Sequence, residues 1–214
     1  MTTALEPPTP VFSEPELTPA GHSLLDAASE LFYARGIRAV GVDLVALEAG
    51  TTKKTLYDRF GSKDRLVAQY LTRRGARWQH HVLELLAARP DPRRRVLTVF
   101  DALEEWHAGQ DRGCAFVNAY AEVGAGDDAT RDVVRREKEW MRRLFVALAA
   151  GAGLPAPEAT GASLHLVYEG TLVLSTAGGR PSALTEARAT VEAVLAAPAP
   201  TAERACEDCE NEGS

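Results

Sequence analysis

The sequence predicts an all-α protein of about nine helices, and three observations carry that prediction. Apolar residues recur at three- and four-residue spacing over most of the 214 positions, and nothing alternates with period two for long enough to propose a sheet. Ala, Leu and Val dominate the apolar residues while aromatics make up only 7%, a composition that favours helix. Glycine and proline fall mostly between the periodic segments, where they end one helix and start the next.

In chain order, Thr18 and Pro19 form an N-cap and first-turn pair, after which Leu24, Leu25, Ala28, Leu31 and Phe32 keep helical spacing up to Gly36. Residues 41–50 form a short second helix with Val42, Val45 and Ala46 on one side. Thr52 caps a third over 53–60, and Ser62 caps a fourth over 63–88, with Asp64 in its positive first turn and Pro90 beyond its end. A fifth over 92–107 carries the stripe Val96, Phe100, Leu103 and His107. "CAFVNAYAEVG" makes a sixth, stopped by Gly124 and Gly126. The seventh, 128–150, repeats Val133, Val134, Trp140, Met141, Leu144, Phe145 and Leu148. The eighth, 157–177, is apolar over most of its circumference, and the ninth, 182–197, repeats Leu184, Ala187, Val191, Val194 and Leu195.

Outside the helices the composition excludes several classes. No run of 18 uncharged apolar residues exists, so no membrane span is expected. "MTTALEPPTPVFSEPELTP" lacks a basic region followed by an apolar core and holds five prolines, so residues 1–17 read as a flexible leader rather than a secretory signal. Cys114, Cys206 and Cys209 are too few for a disulfide framework, which fits reduced thiols in the cytoplasm. The pair in "CEDC" offers two thiolates and no histidine, short of a four-ligand metal site, and residues 198–214 read as a disordered acidic tail. Thiol or metal sensing through Cys114 or Cys206 and Cys209 is the weaker alternative. No Ser-His-Asp order, HExxH, glycine-rich phosphate loop or dense carboxylate cluster is present, so neither catalysis nor a cofactor is expected.

One segment stands against the acidic balance. The chain carries a net charge of -6, yet residues 50–78 hold eight Lys or Arg against two acids, Asp58 and Asp64. The second and third helices, joined by a tight turn at Gly50 and Thr51, form a helix-turn-helix pattern. The cationic residues fall on its second helix and on the first turn of the next, where donors meet phosphate oxygens and free backbone N–H groups add to the same anion site.

"LLDAASELFYARG" followed by "VDLVALEAGTTKKTLYDRFGSKDRL", residues 24–66, resembles the N-terminal domain of TetR-family transcriptional regulators. The Thr-Leu-Tyr-x-x-Phe-x-Ser-Lys string is far more specific than a generic helix-turn-helix. The resemblance implies a DNA-binding domain over 18–66, in which Thr52 caps the recognition helix and reaches a phosphate, and Lys53, Lys54 and Thr55 face base edges. It implies phosphate contacts for Tyr57, Arg59 and Lys63, and core positions for Leu56 and Phe60. Gly21 stands where family members often carry a cation, and Thr51 replaces the usual apolar residue before the cap.

For residues 67–197 the resemblance implies a ligand-binding and dimerisation domain, with the last two helices pairing with a second subunit. It also implies a palindromic double-stranded operator and repression relieved by a small-molecule inducer. The surplus apolar surface of helix eight suits burial against a symmetry mate. The expected cavity residues are Phe100, Leu103, His107, Phe116, Tyr120, Trp140, His165 and Tyr168, an aromatic lining with a few polar groups. Gly75, within helix four, reads as a soft point or a tolerated surface glycine.

Overall fold

The structure, a computed structural model, describes residues 6–110 and 112–196. Among them are nine helices and no strand, with bounds within two residues of those expected from periodicity. The acidic tail with Cys206 and Cys209, and residues 1–5, lie outside the described residues.

α1 (Pro19–Arg35) starts where the Thr18 hydroxyl accepts the Gly21 N–H. α2 (Val42–Glu48) ends in a turn at Gly50, whose φ of 62° is accessible to glycine at little cost. That turn returns the Gly50 and Thr51 N–H groups to the carbonyls of Leu47 and Ala46 and launches α3 (Lys53–Phe60). Thr52 caps α3 by accepting from the Thr55 N–H at 3.1 Å, and Ser62 caps α4 (Lys63–Ala87) by accepting from Arg65 at the same distance. Leu24, Leu25, Phe32, Val45, Leu56 and Phe60 share one core with the first turns of α4.

α4 is 25 residues long, about 37 Å at the α-helical rise, and crosses from that headpiece into the larger core. There α5 (Pro92–His107) and α7 (Asp128–Gly151) pack on it, α6 (Ala115–Val123) lies against α7, and α8 (Pro157–Ser175) packs most extensively on α7. A Cβ at Gly161 of α8 would lie 2.5 Å from Val146 Cα, so glycine is what allows that close crossing. α9 (Ala183–Ala196) turns Ala187, Val191 and Leu195 onto α5 and α8. No described helix is long and apolar enough to cross a membrane.

Of the expected flexible leader, residues 6–17 run without helix across α4 and α7 as a strap. Phe12 is buried, and a Cβ on Gly75 would meet its ring at 2.5 Å. Gln79 Oε1 accepts the Val11 N–H at 2.9 Å, Arg136 donates to the Val11 carbonyl at 2.6 Å, and Trp140 Nε1 donates to the Thr9 carbonyl at 3.0 Å. Glu14 closes the strap with a 2.6 Å pair to Arg77. The physical reason is that prolines hold the chain extended and strip it of donors, so its remaining polar groups are free for helix side chains. Gly75 is therefore neither a soft point nor a surface glycine: it is the flat seat for Phe12.

Candidate nucleic-acid interface and inner cavity

Leu56 and Phe60, one turn apart and buried, fix the rotation of α3. Thr52, Lys53, Lys54, Tyr57 and Arg59 are consequently exposed, with Thr55 half-buried beside the cap. The Thr52 hydroxyl is committed to the Thr55 N–H and lies 2.9 Å from the Thr55 hydroxyl, so its primary duty is capping. Lys53 reaches Asp43 at 3.1 Å and Lys54 reaches Asp58 at 2.8 Å. The hydrogen bond that the Lys54 ammonium donates to Asp58 holds its pKa above the ordinary value. Both pairs are solvent-exposed, contribute little, and leave the cations free to exchange a carboxylate for a phosphate.

Four members of the basic segment point elsewhere. Lys63 was expected on a phosphate, but its Nζ donates to the Ile37 carbonyl at 2.6 Å and lies 5.9 Å from the Phe32 ring. Burial lowers its pKa, and its place in this conformation is a tie between α4 and the α1–α2 loop. Arg73 is buried and donates to Asp26, Ser29 and the Leu25 carbonyl. Arg74 spreads over the rings of Tyr33 at 4.4 Å and Trp106 at 5.4 Å, and Arg77 holds the strap. The outward basic face thus consists of Lys53, Lys54, Arg59 and Arg65. The reason is periodicity: past the first turns of α4, its cations rotate onto α1, α5 and the strap.

The inner core departs further from expectation. Phe100, Leu103 and Trp140 are buried in solid packing, and Tyr120 is 54% exposed on α6, so none of these four lines a cavity. His165 sits beside α7, 3.2 Å from Glu169 and stacked on the Phe145 ring, and also stays outside the cavity lining. A half-open cleft with a volume of about 20 Å³, enough for a single water, lies between α4, α5, α6, α7 and α8. Trp78, Trp106, His107, Phe116 and Tyr168 line it, together with Arg74, Cys114 and Glu137. It is small because the rings interlock: Trp78 lies 5.5 Å from Trp106 and 6.3 Å from Tyr168. Burial, then the Arg74 charge, pushes the His107 pKa down to about 4, so its imidazole is neutral at pH 7. Burial also pushes the Cys114 thiol up, despite Lys138 Nζ at 3.6 Å, which disfavours the reactive-thiolate alternative.

Sequence reasoning missed Glu137 and Lys138. Lys138 donates to both Glu169 oxygens at 2.9 and 3.0 Å. Its Nζ also lies 3.1 Å from Glu137 Oε2, but as a charge contact without hydrogen-bond geometry, which leaves that buried oxygen without a donor. Burial raises the Glu137 pKa; against the same cost, the His165 hydrogen bond and Lys138 hold Glu169 low. "REKEW" reads as a solvated charge run, yet Glu137 falls four residues after Val133 and four before Met141, on the apolar stripe. That placement was the available signal. Among the described residues, no group of three His, Cys, Asp or Glu side chains is placed to hold a metal ion.

A short helix, a glycine turn and a second helix whose outer face carries cations and a tyrosine make a helix-turn-helix of the kind that enters the DNA major groove. Residues 24–70 match the family described as bacterial regulatory proteins, tetR family. An uncharacterized HTH-type transcriptional regulator of Mycobacterium tuberculosis is 32% identical over 155 residues, 60% of this chain and 74% of that protein. The HTH-type transcriptional activator FasR of Mycolicibacterium smegmatis is 33% identical over 120 residues, 52% of this chain, and the match spans only 55% of FasR. In structure the chain is similar to SCO4454, a TetR-family regulator of Streptomyces coelicolor, with TM-score 0.75 and 29% identity over 83% of this chain and 94% of that one. It shares the fold of Escherichia coli NemR in its reduced form, with TM-score 0.72 and 21% identity over 84% of this chain and 99% of that one. The chain belongs to the TetR family of DNA-binding transcriptional regulators.

Proposed function

We propose that the chain is a cytoplasmic repressor that holds a palindromic double-stranded operator as a homodimer and is released when a small molecule opens the inner cavity. The observation that carries the DNA reading is the exposed face of α3, with Lys53, Lys54, Tyr57 and Arg59 outward and Leu56 and Phe60 locked in the core. Lys54 and Thr55 at its N-terminal end are suited to base edges, and Tyr57, Arg59 and Arg65 to phosphates. DNase footprinting on the DNA flanking the coding region tests it: protection of an inverted repeat supports the reading, and uniform weak protection contradicts it.

The dimer reading rests on α8. Leu166 is 72% exposed and Val173 49%, seven residues apart on its outward side, whereas Leu172 points into the protein's own core. Such a face on one side of the outermost helix pair suits a two-fold contact that spaces two recognition helices. Leu166→Glu is expected to weaken self-association a hundredfold or more, read by analytical ultracentrifugation; unchanged association removes α8 from the interface. The similarity to FasR, named an activator, supports the opposite sign of control as a second reading. A reporter fused to the footprinted promoter separates them: deletion of the gene raises expression under repression and lowers it under activation.

A further inference from the structure

The inner cavity combines a seat for a cation with an acceptor that has no donor. Arg74 lies over the Tyr33 and Trp106 rings and bonds to Gln110 Oε1 at 2.8 Å, and among the described residues it has no carboxylate within ion-pair distance. Its aromatic walls thus already carry a positive charge by ring-face attraction. Across the cavity stands Glu137, 2% exposed, whose Oε2 receives no hydrogen bond because Lys138 directs its donors to Glu169. The Lys138 ammonium lies 3.1 Å from that oxygen as a charge contact only, and a buried acceptor without a donated hydrogen bond is costly to keep.

We propose that this cavity is a receptor for a protonated primary amine with an apolar tail, the ammonium donating to Glu137 and resting against Trp78, Trp106 and Tyr168. This rests on the reading that a ligand enters here, and it names the ligand's class. An anion would meet Arg74 but face Glu137 across a water-sized space, whereas for an ammonium the opposing Arg74 charge is already held on the Tyr33 and Trp106 ring faces. The volume of about 20 Å³ admits only the head. The tail has a place in the groove between α6 and α8, about 410 Å³, lined by Val117, Asn118 and Thr176 and bordered by Val173 at the edge of the α8 face proposed for the subunit contact. Cys114 and Leu172 line both spaces, so rotation of the Leu172 side chain joins them. A cation at Glu137 also acts on its neighbour Arg74, which sits on α4 and packs on Tyr33 of α1, and so reaches the headpiece.

The test uses the full chain and three probes of one shape: phenethylamine, 2-phenylethanol and phenylacetate. Binding is read by quenching of tryptophan fluorescence without DNA. Phenethylamine is expected to bind at least tenfold tighter than 2-phenylethanol, and that preference is expected to vanish in Glu137→Gln. Equal affinity for amine and alcohol, tighter binding of phenylacetate, no binding of any probe at millimolar concentration, or an amine preference that survives Glu137→Gln overturns the proposal. The comparison among probes on the parent protein stands even where the variant folds poorly. Release of operator DNA by phenethylamine is measured separately: binding without release keeps the amine site and removes the inducer role.

Discussion

α3 and the middle of α4 treat charge in opposite ways. On α3 the cations stand in water and are held by exposed carboxylates such as Asp43 and Asp58, and Arg65 in the first turn of α4 is exposed beside them. Midway along α4, Arg73 is 3% exposed and Arg74 is clamped between rings, while Glu137 of α7 lies buried nearby. Exposed charges are cheap to keep and quick to exchange partners, which suits a surface that must trade carboxylate for phosphate. Buried charges cost desolvation and persist only in specific geometry, which suits a position that must distinguish one internal arrangement from another. The two kinds of site are joined by one helix about 37 Å long.

The strap on the middle of α4 provides the largest expected effect. Phe12 covers Gly75, the residue after Arg73 and Arg74, and Phe12→Ala removes a ring buried against the helix. The expected cost is about 3 kcal/mol, measured by urea unfolding with the slope unchanged. An unchanged midpoint would mean that the strap is not part of the folded core. Next in size is the contrast between two arginines. Arg73→Ala removes the donor to Asp26 and to the bonded Ser29–Leu25 pair and is expected to cost about 2 kcal/mol, discounted because Asp26 is 60% exposed. Arg59→Ala on α3 is expected to leave stability within about 0.5 kcal/mol while weakening DNA binding. Equal effects on stability would erase the distinction between the two regions.

A stability effect smaller than those at Phe12 and Arg73 concerns pH. His107 is held near pKa 4 in the folded chain against an ordinary 6.5. Between those values the unfolded chain binds more protons, so the stability that His107 allows is present above pH 6.5 and is lost as pH falls towards 4. Because the ring is partly exposed and Arg74 faces it, the effect is expected to be about 1 kcal/mol. Thermal unfolding from pH 7 to 4 should show a shallower acid decline in His107→Gln; an identical decline assigns the acid sensitivity to other groups.

The outer region was legible in the sequence because everything that builds it is local. Thr52 and Ser62 cap their helices within three residues, Gly50 makes the turn, and Leu56 and Phe60 mark the buried side within one turn. The inner region was not, because its partners come from separate elements. Arg73 and Lys53 read alike as members of one basic run, and only the packing of α1 against α4 turns Arg73 inward. Glu137 was hidden in a charged run, and the strap was hidden because proline-rich polar sequence looks the same whether it is loose or seated. Phe100, Leu103 and Trp140 were correctly apolar but fill the core solidly, since an amphipathic stripe marks a buried face without saying whether that face borders a void.

The account stands on the claim that the exposed face of α3 reads DNA through cations that exchange their carboxylate partners for phosphate and base. The most direct measurement is fluorescence anisotropy of the footprinted operator and of a scrambled duplex, titrated with the full chain at several salt concentrations. Arg59→Ala is expected to lower the log–log salt slope by about one unit, with affinity lost on both duplexes alike. Lys54→Ala is expected to lower the preference for operator over scrambled DNA, by about tenfold for one good base contact. Parental slope and parental preference in both variants would contradict that claim and place DNA recognition elsewhere on the molecule.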